Sequence, residues 1–313
     1  LLELAGMRAG LSPRETDYTT VMRAAMNGTS DFPIILEAVA QRVLLARYET
    51  APSTYQQLAR RRDLNDFKPT KLLSVGDFPT LKAFKEGGEI SYGTINEGKE
   101  SVILGSYARN LTLSRQAIIN DDLNAFDDVI GSIGMMVGMF ENNLFYEMKA
   151  TGSGVGPNLS DGKALFHTDH ANLAGSGAAI AVASVGAGRA AIRKQKNLDG
   201  KPLNIAPSTL LVGPDRETVA EQFLTPVATT EVEKVQPIRL KLVVDALIAG
   251  NAWELYTDPS MLPVFHYGFL SGESGPRVLT KEGFDYDGMS WSVRHDFYSG
   301  ATDYRGAYRN PGA

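Results

Sequence analysis

Four histidines and no cysteine bound the chemistry open to this 313-residue chain. Thiol catalysis, disulfide staples, iron–sulfur clusters and cysteine-ligated zinc are excluded, and the composition fits a reducing cytoplasm. In His167-Thr168-Asp169-His170, two imidazoles and a carboxylate stand within four residues. On a helix, His167 and His170 would share a face and could hold a metal ion. The flanks Leu165-Phe166 and Ala171-Asn172-Leu173 do not read as helix, and no further histidine lies nearby. The segment therefore reads as a loop whose His and Asp cap backbone groups, and no metal ligand set is predicted.

Ser160-Asp161-Gly162-Lys163 has the serine-x-x-lysine spacing of penicillin-recognising acyl enzymes, in which a helix places lysine to accept the serine proton. Gly162 and the preceding Gly-Pro-Asn loop oppose a helix here, and the Ser-Asp-Asn and Lys-Thr-Gly partner motifs are absent. Gly152-Ser153-Gly154-Val155-Gly156 imitates a phosphate cradle, but Pro157 follows and no helix leaves it, so it reads as a connector. Gly-x-Ser-x-Gly and His-Glu-x-x-His are missing too. Asp121, Asp122, Asp127 and Asp128 sit where helix capping and solvation account for them, and no carboxylate pair is singled out for acid–base work. His266 and His295 fall in strand patterns, as packed histidines do. No catalytic residue, cofactor or metal is predicted. A soluble hydrolase built on Ser160 with Lys163, or on the His167/His170 loop, is the enzymatic alternative.

Charge and length narrow the classes further. There are 31 Lys+Arg against 36 Asp+Glu, a net charge of −5, which opposes a protein whose main task is gripping nucleic-acid phosphates. No apolar stretch approaches the roughly 20 residues that cross a bilayer, and the first residues lack a basic and then apolar leader, so no membrane association is expected. The length suggests two lobes. The chain begins at Leu1, which reads as a fragment or as the product of upstream cleavage.

The elements that would position any site follow from periodicity. Residues 14–27 have a short helical pattern; after Thr29-Ser30-Asp31 and Phe32-Pro33, a second helix carries Ile35, Val39, Val43 and Leu44 to Tyr48. Residues 52–71 are polar and interrupted, and Arg60-Arg61-Arg62 reads as a solvated face. Residues 81–115 read as a charged ribbon turning at Asn96-Glu97-Gly98, with too little apolar surface for its own core. It must rest on something else, and another subunit would serve.

From Asn120 to Ala150, Leu123, Phe126, Ile130, Ile133, Val137, Phe140, Leu144 and Met148 form one helical stripe, with Lys149 at the negative end and Gly152 as the stop. At 1.5 Å per residue that helix would be about 45 Å long. Beyond a small-residue stretch from Ala174 to Gly188, expected to be flexible in part, a helix is predicted over 189–197. Strands are predicted at 209–212, 238–244 and 252–256, with a helix at 217–224; the second and third strands are expected to pair in a mixed sheet. Met289, Trp291, Val293, His295 and Phe297 alternate with polar residues, the cleanest strand pattern in the chain.

The sequence resembles the major capsid proteins of tailed bacteriophages, specifically the Mu-like major head subunit branch often encoded as a fusion behind a prohead protease. The residues that carry the resemblance are Asp31-Phe32-Pro33, Ala51-Pro52-Ser53, Asp66-Phe67-Lys68, Glu86-Gly87-Gly88-Glu89-Ile90 and, most specifically, Ser114-Arg115-Gln116-x-Ile118-Ile119-Asn120-Asp121-Asp122-Leu123. Leu165-Phe166 before His170-x-Asn172-Leu173, Pro207-x-x-Leu210-Leu211-Val212-Gly213-Pro214 and Asp285-Tyr286-Asp287-Gly288 complete the set.

The resemblance implies the α+β Hong Kong 97-type capsid fold. On it, residues 1–78 are an N-terminal arm and helices, 79–116 the E-loop hairpin, and 117–182 the P-domain with its spine helix. Residues 183–261 are the A-domain and 262–313 the return to the P-domain. It implies a non-enzymatic virion protein, assembled in the host cytoplasm, whose main partner is itself in hexamers and pentamers of an icosahedral shell around double-stranded DNA. Portal, scaffold, maturation protease and possible decoration proteins are the further partners, and the family's N-terminal trimming fits a chain starting at Leu1. Glu89, Tyr92, Glu97 and Lys99 of the hairpin are the expected subunit-interface contacts. Lysine-to-asparagine crosslinking is not carried over, because its asparagine and glutamate find no matching positions. An encapsulin-like cargo shell is the structural alternative.

Overall fold

The computed structural model describes residues 31–72, 100–114, 123–197, 199–225, 240–273, 275–282 and 288–313. In chain order the main elements are α1 (Asp31–Glu49), β1 (Ala59–Arg61), β2 (Thr70–Leu72), β3 (Glu100–Val102), β4 (Gly105–Ser114), α2 (Leu123–Ala150) and α3 (Val182–Arg193). β5 (Pro207–Val212), α4 (Glu217–Leu224), β6 (Lys241–Val244), β7 (Trp253–Thr257), β8 (Phe265–Phe269), β9 (Arg277–Glu282), β10 (Gly288–Ala301) and β11 (Ala307–Asn310) follow. They form two compact units, one from Leu1–Pro52, Ser106–Phe140 and Gly272–Asp296, the other from Ser53–Gly105, Glu141–Ser271 and Phe297–Ala313. The helix predicted over 14–27 and the ribbon turn at 96–98 lie outside the described residues.

In the first unit β9 pairs antiparallel with the start of β10, Val278 opposite Val293 and Thr280 opposite Trp291. Trp291 and Val293, alternate residues on β10, turn inward onto Ala40, Leu44, Ile130 and Val278, as the period-two pattern predicts. The side-chain amide of Gln41 on α1 accepts from Val278 N–H and donates to Pro276 O, both at 2.8 Å, mimicking a strand partner along β9. Where α2 meets α1 glycines let the helices approach closely. A Cβ on Gly134 would overlap the Leu44 carbonyl oxygen, and one on Gly138 would overlap the Ala51 methyl.

The predicted stripe on α2 is therefore only partly the buried one. Ile130 is fully buried, but Ile133, Val137 and Phe140 are half-buried, while Gly131, Gly134 and Gly138 lie fully inside. A hydrophobicity count passes over glycine, although close approach of two helices selects for it.

Among the described residues the second unit holds two larger sheets, the two-stranded β2–β3 ladder and three apolar clusters. β1 runs parallel to β8, and β8 antiparallel to the end of β10. Tyr55, Phe145, Phe265, Tyr267 and Phe297 pack there, with Tyr267 edge-on to Tyr55 at 4.9 Å. The other sheet has the order β11-β7-β5-β6. The expected pairing of 238–244 with 252–256 is corrected: β5 lies between β6 and β7, parallel to one and antiparallel to the other. The reason is visible in β5, whose Leu210, Leu211 and Val212 are all fully buried, as a central strand requires.

Two further expectations change. α3 starts at Val182, inside the stretch expected to be partly flexible. Ser184 Oγ accepts from Ala181 N–H (3.0 Å) to cap the helix start, and Gly188 lets it press on Tyr308 and Leu255. β3 finds its described partner in β2, with Leu72 opposite Glu100, a pairing the polar run before residue 72 did not suggest.

Candidate functional site

The loop that carries Ser160, Lys163, His167 and His170 is a set of turns. Asn158 bridges Ala164 antiparallel, and Gly162 sits at φ +77°, so the serine and lysine do not share a helical face. Lys163 Nζ instead holds Asp169 at 2.6 Å, and that carboxylate's hydrogen bond and charge raise the lysine's pKa. An ammonium stabilised in this way is a poor proton acceptor for Ser160. The serine is exposed, and its backbone N–H donates to Glu100 Oε1 at 2.7 Å.

The two histidines are also spoken for. His167 Nδ1 accepts the Asp169 N–H (3.2 Å), the backbone cap expected from sequence. Buried His170 faces Leu165 O with Nδ1 (3.2 Å) and Asp161 with Nε2 (2.7 Å), and stacks on Tyr304 at 3.8 Å. Neither nitrogen of His170 is directed to a metal, and among the described residues no cluster of three or more His, Cys, Asp or Glu could hold one. Among them, too, no helix is long and apolar enough to cross a membrane.

Sequence reasoning missed a buried polar framework in the second unit. Thr54 Oγ1 donates to Asp245 Oδ2 (2.5 Å), Asn142 Nδ2 to the same oxygen (2.9 Å), and Tyr55 Oη to Glu141 Oε2 (2.6 Å). These bonds tie the segment entering β1 to α2 and to the turn after β6. Deeper in, Lys149 Nζ meets Glu254 Oε2 at 2.6 Å, Tyr256 Oη donates to the same carboxylate at 2.6 Å, and Arg309 Nε lies 3.8 Å away. Lys149 stands in the last turn of α2, as expected, and is in addition a buried ion-pair partner. The only sequence signal was Glu254 standing inside an otherwise apolar strand.

His266 adds a pH response. It is buried on β8, Nδ1 within 2.9 Å of Thr302 Oγ1, and burial together with the nearby Arg62 and Arg60 charges lowers its pKa from 6.5 to about 4. Between those values the unfolded chain binds the proton more readily, so stability present above pH 6.5 should decline as pH falls toward 4. A loss on the order of 3 kcal/mol is expected across the window. Urea midpoints at pH 7 and pH 4.5 measure it; a slope in that range unchanged in His266→Asn would remove the assignment.

Surface rather than pocket distinguishes the first unit. A groove of about 720 Å³ runs between β4 and α2, lined by Tyr107, Leu111, Ile133, Met136, Val137 and Phe140. Met136 is 67% exposed, and Tyr107 meets Phe140 edge-on at 4.8 Å. Met135, Met139 and Val129 extend the exposed apolar side of the helix. The interface residues expected from sequence, Glu89, Tyr92, Glu97 and Lys99, lie outside the described residues.

Comparison with known proteins gives one family and one fold. A family model described as phage capsid protein matches residues 99–310. The structure is similar to a phage-related protein from Bordetella bronchiseptica RB50, with TM-score 0.54 and 9% identity over 86% of this chain and 95% of that one. It is similar to the capsid of cyanophage P-SCSP1u, with TM-score 0.51 and 12% identity over 84% and 89%. The procapsid of bacteriophage JBD30 matches with TM-score 0.50 and 17% identity over 89% and 75%. No curated protein matches.

Proposed function

This chain belongs to the phage capsid protein family and has the α+β Hong Kong 97-type fold, and from that premise we propose that it is a major capsid subunit of the Mu-like branch, self-assembling into pentamers and hexamers of an icosahedral shell around double-stranded DNA. The observation that carries the reading is the family match across 99–310 on a chain whose first unit leaves an apolar groove and a methionine-rich helix side exposed. An exposed apolar patch of this kind is what an associating surface requires. Association in the shell runs through heterologous edges that close into rings.

On this reading residues 1–78 form the N-terminal arm, 79–116 the E-loop, 117–182 and 262–313 the P-domain, and 183–261 the A-domain. Glu89, Tyr92, Glu97 and Lys99 are subunit contacts on the E-loop. Portal, scaffold and maturation protease act with the subunit during assembly in the host cytoplasm, and decoration proteins are possible additions. A net charge of −5 suits a container that must not retain the DNA it holds.

The test is electron microscopy of the sedimenting fraction after expression with the scaffold and protease of the same genome. Closed icosahedral shells are expected, with their diameter bounding the subunit number. Compact monomers or dimers after complete processing would overturn the reading. Shells that carry a cargo enzyme, with no portal gene beside the subunit, would favour a compartment instead.

A further inference from the structure

One sheet of the second unit carries opposite charges at opposite corners. Between Arg189 and Asn204 stand five cations and a single acid, Asp199. Lys194, Lys196 and Lys201 are exposed and Arg189 is half-buried, while Arg193 Nη1 donates to Asn204 Oδ1 at 2.8 Å. Among the described residues none of the five cations is held in an ion pair. The backbone that bears them is fixed. After α3 the chain returns on itself: Lys196 bridges Pro202 antiparallel, Asn197 N–H donates to Lys201 O (2.9 Å) and Leu203 N–H to Gln195 O (2.7 Å). Gln195 Nε2 anchors this return on His170 O at 2.7 Å. A charged surface ordered in advance gives up less freedom when a partner arrives.

The acids stand elsewhere. Asp215, Glu217 and Glu221 are exposed around the start of α4, and among the described residues they too are in no ion pair. Arg216 between them is engaged by Asn251 Oδ1 (3.0 Å) and Ala313 O. α3 packs on β11 and α4 on β6, the two edges of the order β11-β7-β5-β6. Val185 and Ile192 of α3 and Ala220 of α4 join Leu210 and Val212 in one cluster, so both helices cover the same face. The basic return precedes β5 and the acids follow it, which adds six residues of strand, about 20 Å, between them. Screening reaches only about 10 Å at 0.1 M salt, so the two sets do not neutralise each other within one chain.

We propose that the basic return after α3 docks on the acidic start of α4 in a second copy of the chain, a head-to-tail contact held by charge. A two-fold pair would have to bring both corners into one interface, and they lie at opposite edges of the sheet, so each corner is left to a different neighbour. Like patches set together would repel. The contact therefore repeats from copy to copy, and a rotation that closes makes a ring. The inference rests on the capsid reading and deepens it by naming one heterologous edge. Duplex DNA is the other polyanion for this patch, but a net charge of −5 opposes its approach, and a DNA contact has no use for the acids.

Charge reversal in the full chain tests the contact. One variant combines Lys194→Glu, Lys196→Glu and Lys201→Glu; a second combines Asp215→Lys, Glu217→Lys and Glu221→Lys; a third carries both sets. Urea midpoints report whether each is folded, and sedimentation velocity reads the concentration at which copies associate. The first and second variants should each need roughly tenfold more protein or beyond, because attraction has become repulsion. The third should associate near the wild-type concentration, since the polarity is inverted on both sides. Unchanged association in either folded single-sided variant, or no recovery in the folded third, would overturn the contact. So would a first variant that associates normally and loses only its retention of a double-stranded DNA fragment, which would give the cations to phosphates. Where a reversal costs the fold, Lys194→Gln, Lys196→Gln and Lys201→Gln together decide between 0.1 and about 0.5 M salt: wild-type association weakens as salt screens the charges, and that of the neutral variant does not. Rings that respond to the reversals but never close into shells overturn the capsid reading alone. Shells indifferent to the reversals overturn only the contact, and a wild type that never associates overturns both.

Discussion

Gly134→Leu is expected to destabilise the first unit by about 3 kcal/mol or more. The atom that a Cβ would strike is the Leu44 carbonyl oxygen, with Leu44 C and Tyr48 N just behind it at 3.2 Å. These are backbone atoms of α1, already committed to a helix, and they cannot turn aside as a side chain would. The helices would have to separate, undoing the packing of Ala40 and Leu44 on Ile130, Trp291 and Val293. Overpacking of this kind commonly costs about 1–3 kcal/mol, and more where backbone must shift. A typical domain has only about 5–15 kcal/mol in all. Gly131→Ala supplies the contrast on the same helix. Its Cβ would meet the Arg47 Cγ at 3.1 Å, the middle of a flexible side chain that can swing away. Alanine's helix propensity favours that change by about 1 kcal/mol, so the variant should be neutral or slightly more stable. Soluble yield and urea midpoints separate the two outcomes; equal behaviour at 131 and 134 would mean that the close crossing contributes nothing.

In the second unit the corresponding change is Glu254→Leu. It strands the Lys149 ammonium, which is 5% exposed in its side chain and has Glu254 as its ion-pair partner. Burial already pushes the Lys149 pKa down, with the Glu254 charge and hydrogen bond acting to hold it up. Without the carboxylate the lysine must be buried neutral or drag water inward. Breaking a buried pair from one side costs about 3–5 kcal/mol. Lys149→Met together with Glu254→Leu should recover much of that loss, because the cation and its counter-charge leave together and the space stays filled. Thermal or urea denaturation of the wild type, Lys149→Met, Glu254→Leu and the double variant closes the cycle. A double variant as unstable as Glu254→Leu would show that the framework depends on the carboxylate's bond from Tyr256 and its charge contact with Arg309 rather than on the pair.

What the sequence disclosed and what it hid divide along a physical line. Period-two alternation is a direct imprint of a sheet with one buried face, and β10 was legible to the residue from Trp291 to Phe297. The length of α2 was equally plain, as was Gly152 beyond its end, at φ +65°. The buried face of α2 was less so, since Gly134 and Gly138 contribute to packing through the side chains they lack. Lys149 and Glu254 are 105 positions apart, and no local pattern announces that two opposite charges will share a core. Capping by His167 is legible in the loop itself, but Asp161 and Tyr304, which hold the His170 ring, come from outside the motif.

Gln41 bears on a hazard peculiar to molecules that build themselves into larger objects. A strand end with open N–H and C=O groups will accept another chain in many registers, and in a crowded cell the wrong visitor arrives first. By setting its amide on Pro276 and Val278, Gln41 occupies that rung of β9 from within the same molecule. The Val278 N–H and the Pro276 carbonyl are thus not open to a stray strand. An edge closed by its own chain leaves a member of the phage capsid protein family one place fewer where a stray strand can add.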